Sequence, residues 1–267
     1  MRHALTDTYH LMRRALRETQ RQPALEIGNV FIPIFFFAVT VGAIGSSAAR
    51  AFGVNNYLGF QMPIAVLQGV AGAAGVAGIG TVTDIERGYF DKLLLTPTAR
   101  ISLAMGRLAA DVVRICVLST FILVVGLAFG AGLESGPLGG IVLVAMAGSF
   151  GLAYSGIGMA LALKTGSAQA AQLGFLIFFP LLFLSPAFAP KEFFSPWLEF
   201  LATINPVTYV VEGMRALVLG VCPADTPQCA NPNGWDAASI LKAFAAIFGM
   251  GAFTMSLVLW GLRSRTA

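Results

Sequence analysis

Charge is what this sequence lacks most. Only 11% of its 267 residues are Asp, Glu, Lys or Arg, against about 25% in soluble domains. Hydrophobic residues make up 57%, and mean hydropathy is +0.77. So few charges cannot cover a water-facing surface, and the chain reads as an all-α integral membrane protein. A nucleic-acid partner is excluded on related grounds: the formal net charge is +4, and no basic stripe lies outside the flanks of apolar runs. Material for a metal site is equally scarce. His3 and His10 are seven residues apart with no cysteine beside them, so neither is expected to hold metal. Of the three cysteines, Cys116 lies within an apolar run as a small hydrophobe, and Cys222 and Cys229 share one polar loop. There is no phosphate-binding loop. The nearest string, residues 158–165, has Leu163 in place of the second glycine and falls in an apolar run. No row of buried carboxylates suits a proton-coupled carrier. Nor does the second half of the chain repeat the first, as it would in many secondary transporters.

Long apolar runs are what the chain does have. Six are read as membrane spans, at about 27–44, 58–82, 108–131, 141–163, 170–189 and 237–262. Residues 1–26 carry five arginines and no apolar core, so no cleavable signal peptide is expected. In this leader Leu5, Tyr9, Met12 and Leu16 recur at helical spacing. The pattern predicts an amphipathic helix lying in the membrane interface, ended by Pro23, ahead of one transmembrane domain over 27–267. The second run is rich in glycine and alanine, which lets helices approach closely in lipid. It also holds Gln61 and Gln68, placed either for an interhelical hydrogen bond or for a substrate. Arg107, Asp111 and Arg114 fall on one face of the third run, where Asp111 is expected to pair with both arginines. Pro180 and Pro186 interrupt the fifth.

Two polar interruptions stand out. Residues 84–107 hold seven charges. Within them Phe90, Leu93 and Leu94 at i, i+3 and i+4 predict a short helix with one apolar face, stopped by Pro97. Such a helix is gripped by another protein or rests on lipid headgroups. Residues 190–236 are too polar for a span and too apolar for a free loop. Two short helices joined at Asn205-Pro206 predict a re-entrant hairpin in the outer leaflet. Its Glu212 and Arg215, at i and i+3, are placed either to gate a pathway or to satisfy each other. With the N-terminus inside, twelve Lys and Arg flank the inner ends and four the outer ends. That split gives N-in, C-in topology. The short helix is then cytoplasmic, and Cys222 and Cys229 lie outside, where a disulfide is expected.

These two stretches carry a resemblance. Glu86-Arg87-Gly88, then Lys92-Leu93-Leu94-Leu95-Thr96-Pro97 and Gly106-Arg107, is similar to the cytoplasmic loop of ABC-2 type exporter membrane subunits. Asn205-Pro206-Val207-Thr208-Tyr209 with Glu212, Arg215 and Gly220 resembles the same family's segment before the last span. The family includes daunorubicin-resistance permeases and exporters of polysaccharides and lipid-linked glycans.

The resemblance implies a permease that is not itself an enzyme and binds no cofactor. ATP and Mg would be held by two copies of a separate ATPase subunit, in a bacterial inner (plasma) membrane. A second permease subunit, the same or similar, would complete the pathway. Glu86, Arg87, Gly88, Phe90, Leu93, Leu94 and Pro97 would couple to the ATPase. Asn205, Pro206, Tyr209, Glu212 and Arg215 would form the outer hairpin and gate. Phe35, Gln61, Gln68, Phe178 and Phe179 would line a cavity for an amphiphilic drug, lipid or glycolipid. An ion-coupled carrier and a non-transporting membrane scaffold are the competing classes.

Overall fold

A computed structural model describes residues 2–21, 23–53, 56–95, 100–220 and 235–266. Cys222, Cys229 and Pro97 lie outside them. Among the described residues every regular element is helical: α1 (Arg2–Gln20), α2 (Pro23–Phe52), α3 (Tyr57–Ala74), α4 (Val76–Glu86), α5 (Tyr89–Leu94), α6 (Arg100–Ala128), α7 (Gly136–Thr165), α8 (Ala168–Phe183), α9 (Pro196–Ile204), α10 (Pro206–Leu219) and α11 (Ala237–Thr266), with a single 3-10 turn at Lys191–Phe193.

Among the described residues five stretches are long and apolar enough to cross a bilayer: Glu26–Phe52, Tyr57–Glu86, Ile101–Ala128, Gly136–Thr165 and Ala237–Arg263. The first is longer than expected, because Arg50 continues the helix by bonding back to the Ser46 carbonyl (3.1 Å). The second is two helices in series, α3 and α4, broken at Gly75. The expected fifth span is the exception. Its helix, α8, has 16 residues, about 24 Å at 1.5 Å per residue, short of an average hydrocarbon core of about 30 Å. Pro186 explains where it stops, since the residue before a proline is pushed out of helical conformation.

The main core gathers around α7, which packs against α3, α4, α6, α8, α10 and α11. Phe150 and Tyr154 of α7 meet Phe178 of α8 in an aromatic cluster with centroids 5.6–6.5 Å apart. The Tyr154 hydroxyl donates to the Gly174 carbonyl (2.5 Å). In lipid, apolar burial gives helices little reason to associate, so close backbone contact matters more. Gly78 is one instance: a Cβ there would lie 2.7 Å from the Gly158 carbonyl oxygen, a backbone atom that cannot swing away. By contrast α2, α8 and α11 leave large apolar side chains exposed, among them Phe31, Phe35, Leu176, Phe183, Phe248 and Phe253.

Gly78→Val is expected to cost about 1–3 kcal/mol through overpacking and to lower the thermal midpoint of the detergent-purified protein in fluorescence-detected size exclusion. Gly42→Val, at a position with nothing within 4 Å of the added Cβ, should leave that midpoint within a degree or two.

Candidate functional site

One end of the bundle, called the inner end after the side on which it is expected, is built from α1, α4, α5 and α6. The leader helix α1 is held to the bundle along one side, with Tyr9 of its predicted stripe exposed. It packs along α6, and Gly106 makes the approach possible: a Cβ there would lie 2.5 Å from the Leu11 Cβ and 3.3 Å from the Met12 nitrogen. Tyr9, His10, Arg13, Arg17 and Arg21 are left on the exposed side.

This packing brings together charges that are far apart in sequence. Asp84, in the last turn of α4, is buried at 5% exposure. Arg14 of α1 grips it with two bonds, Nη2 to Oδ1 (2.7 Å) and Nη1 to Oδ2 (3.2 Å). Arg107 of α6 donates to the same Oδ2. Glu18 completes the set, 2.8 Å from Arg14 and 3.4 Å from Arg107. Burial disfavours the Arg14 charge, but the Asp84 carboxylate outweighs it, so the guanidinium pKa lies above its ordinary value. Arg107 therefore pairs with Asp84 and Glu18, and not with Asp111 as its spacing predicts. Asp111 instead binds Arg114 (2.7 Å), which also reaches Glu26 of α2 (2.8 Å). The other Asp111 oxygen accepts from the Ala77 N–H (3.2 Å). That donor belongs to the first turn of α4 and would be an orphan of the break at Gly75.

The short helix expected on the cytoplasmic side hangs from this cluster. Its expected span from Asp84 to Pro97 is corrected. Asp84 and Glu86 close α4, and Gly88 turns the chain with φ +63°. That left-handed conformation is cheap only for glycine. Helix α5 then runs for six residues. The Arg14 guanidinium lies 3.9 Å above the ring of Tyr89, the first of them. Leu93 turns inward with Leu11, Ile85 and Met105 onto the small core of Leu103, Leu108 and Met159. Phe90 and Leu94 lie within α5. Glu86, Arg87 and Lys92 are exposed, and Leu95 at the C-terminus of α5 is 89% exposed. Removing the Asp84 charge leaves two guanidiniums without their shared partner. Asp84→Asn is expected to destabilise the fold by about 3–5 kcal/mol. Glu18→Gln, at the exposed rim, should change it by less than about 1 kcal/mol; thermal unfolding of purified variants compares the two.

At the other end α10 is almost wholly buried, and Asn205, Tyr209 and Arg215 there satisfy backbone groups. The Asn205 side chain caps α10 by accepting from the Val207 N–H (3.0 Å), and its amide donates to the Leu181 carbonyl (2.5 Å) at the end of α8. Pro206 takes the first helical position, where no N–H is missed. Tyr209 donates to the Thr203 carbonyl of α9 (2.7 Å). Glu212 and Arg215 do not pair. Glu212 binds Lys191 (2.7 Å). Arg215 donates to the carbonyls of Phe60 (3.0 Å), Pro186 and Ala187 (2.8 Å), with its guanidinium 3.5 Å above the Phe60 ring. Three carbonyls in three directions need the arginine fork, which an ammonium cannot reproduce. Arg215→Lys is therefore expected to lower the thermal midpoint nearly as far as Arg215→Leu, each by the equivalent of about 3 kcal/mol.

The expected cavity residues do not converge on one cavity in this chain. Phe178 is fully buried in the core, and Phe35 points outward. Gln68 and Phe179 are half-buried. Gln61 is buried with its Oε1 unpartnered. Sequence spacing missed the partners Arg14, Glu18, Glu26, Asp84 and Lys191. A signal existed for α1: Leu11, Arg14 and Glu18 share one helical face, so two charges lie on the side that packs.

Comparison with known proteins places this arrangement. The Daunorubicin resistance ABC transporter permease protein DrrB1 of Streptomyces coeruleorubidus is 25% identical over 256 residues, covering 95% of this chain and 86% of its own length. The Putative transport permease ycf38 of Cyanophora paradoxa is 28% identical over 227 residues, 80% of this chain and 74% of its own. The Probable doxorubicin resistance ABC transporter permease protein DrrC of Mycobacterium tuberculosis is 22% identical over 207 residues, 78% and 75%. The model of the ABC-2 type transporter family matches residues 6–219, and the chain, a multi-pass membrane permease, belongs to that family.

Proposed function

We propose that this chain is the permease subunit of an ATP-driven exporter in a bacterial inner membrane. It pairs with a second permease subunit to enclose a pathway for an amphiphilic drug, lipid or glycolipid. Two copies of a separate ATPase subunit, holding ATP and Mg, drive the cycle. The chain crosses the membrane six times with both termini inside. The fifth crossing is α8, whose 16 residues are completed at the outer side by the turn and the α9–α10 hairpin.

The observation that carries this reading is the mounting of α5. A six-residue helix has almost no stability of its own. Here it is fixed by Arg14 over Tyr89, by the Gly88 turn and by Leu93 in the inner core. Glu86, Arg87, Lys92 and Leu95 stay outward. A push on α5 is thereby delivered to α1, α4 and α6 together. Helix α8 and the Ile32, Phe35, Phe36 and Val39 side of α2, all exposed, would meet the second subunit. Trp197 and Phe200 of α9, also exposed, would rest in the outer leaflet as interfacial anchors.

Leu95→Asp places a charge on the outward tip of α5 without touching its inner contacts. It is expected to reduce co-purification of the partner ATPase at least tenfold, while the permease alone keeps its thermal midpoint. Undiminished ATPase recovery with this variant would overturn the coupling role of α5.

A further inference from the structure

A groove of about 810 Å3 runs along the side of the molecule between the α1–α2 junction and α6, well within the size of small-molecule sites. Its walls are apolar: Ile27, Phe31 and Ile34 from α2, and Val117, Leu118 and Phe121 from α6. Ile27, Phe31, Val117 and Phe121 are exposed, so the groove opens sideways, toward acyl chains in a bilayer. It is not part of the expected cavity between subunits, and the coupling cluster does not use it.

One end of the groove is charged, by Glu26 and Arg114. Behind them lies Asp111. The Arg114 Nη1 binds the Asp111 Oδ1 (2.7 Å), and its Nε binds the Glu26 Oε1 (3.0 Å). Two carboxylates thus share one guanidinium, so neither has the whole of its positive charge. Exposure decides which member a ligand meets. The Arg114 and Asp111 side chains are sealed at 7% and 2%, whereas Glu26 is 28% exposed. The nearby arginines Arg13, Arg17 and Arg21 line a separate cup with His10 on α1. The Arg14–Glu18–Asp84–Arg107 cluster is balanced within itself.

We infer that this groove is a binding site for an amphiphilic cation, with the apolar body between Phe31 and Phe121 and the positive group at Glu26. Apolar contact alone cannot select an occupant here, because lipid tails offer the same contact. The half-neutralised carboxylate at the end does select, and it acts in surroundings of lower dielectric than water. An anionic headgroup would meet Glu26 and be repelled, and a neutral lipid would leave Glu26 without a further partner. The exposed rings add a cation–π contribution. Through Arg114 and Asp111 the same carboxylate is linked to the Ala77 N–H at the break in the second span, so an occupant at Glu26 would bear on the α3–α4 junction. That cargo enters here from the inner leaflet rests on the export reading; that a cation binds here does not.

The test uses two ions of matched shape and opposite charge, tetraphenylphosphonium and tetraphenylborate. Equilibrium binding of each is measured on the full chain in phosphatidylcholine nanodiscs, with empty nanodiscs subtracted and no ATPase present. Saturable tetraphenylphosphonium binding is expected. Glu26→Gln should weaken it at least tenfold while tetraphenylborate binding is unchanged or tighter. Val117→Trp fills the groove from the exposed side of α6 and leaves every ion pair in place. It should weaken tetraphenylphosphonium binding at least tenfold. Binding that survives Val117→Trp would overturn the site, as would native mass spectrometry showing phospholipid held there undisplaced by the cation. A Glu26→Gln effect equal for both ions, or absent, would overturn the role of charge. Failure of the export reading would show elsewhere, as loss of any associated ATPase with cation binding intact.

Discussion

Asp84 holds three helices with one carboxylate. Arg14 reaches it from α1 and Arg107 from α6, and Asp84 itself ends α4. Each of these charges would be costly to bury alone, so the three helix ends are admissible only in the arrangement that brings them together. Such a network adds less to stability than its Coulomb attraction suggests, because desolvation opposes it. Its effect here is on geometry. The inner ends of α1, α4 and α6 form one unit, and Gly88 and α5 inherit their position from it. Arg14 makes the connection twice, once through Asp84 and once through its stacking on Tyr89.

The outer end follows a different rule. Helices α8, α9 and α10 and the α6–α7 turn all stop or start there, which leaves backbone groups with no helical partner. Within a bilayer these cannot turn to bulk water. Side chains answer them: Asn205 takes the Leu181 carbonyl, Arg215 those of Pro186 and Ala187, Asn56 that of Ala131 and Ser135 that of Leu217. Helix α10 thereby becomes a rigid part of the core and not a loose lip. The inner end is fastened side chain to side chain, the outer end side chain to backbone.

The difference explains what could be read from the sequence. Long apolar runs declared the all-helical membrane fold, and the Asp84–Arg107 interruption and the Asn205–Gly220 segment were both visible as unusual. Local spacing then misassigned the partners. Arg107 and Asp111 lie on one face of one helix, yet Arg107 turns to Asp84, 23 residues away. Glu212 and Arg215 are one turn apart, yet one finds Lys191 and the other finds carbonyls. Where a buried charge can reach several helices, tertiary packing chooses its partner, and periodicity carries no record of that choice. Phe178 was misplaced for the same reason: a phenylalanine facing Tyr154 and one facing lipid look alike in sequence.

The two fastenings leave a definite place for movement. The second span carries both, Asp84 at its inner end and the Phe60 carbonyl near its outer end, with the break at Gly75 between them. Asp111 pins that break by taking the Ala77 N–H, so the interruption is stabilised by a side chain and not only tolerated. If α5 is displaced, the tight inner unit moves as a body, while α10 and the end of α8 hold the outer half of α3. The difference has to be absorbed where the helical ladder is already interrupted. Helix α2, packed mainly on α3, would then follow the outer half, and its free aromatic face would shift against whatever lies beside it. Where that neighbour is the proposed second subunit, a local change at Gly75 becomes a change in the space between two chains.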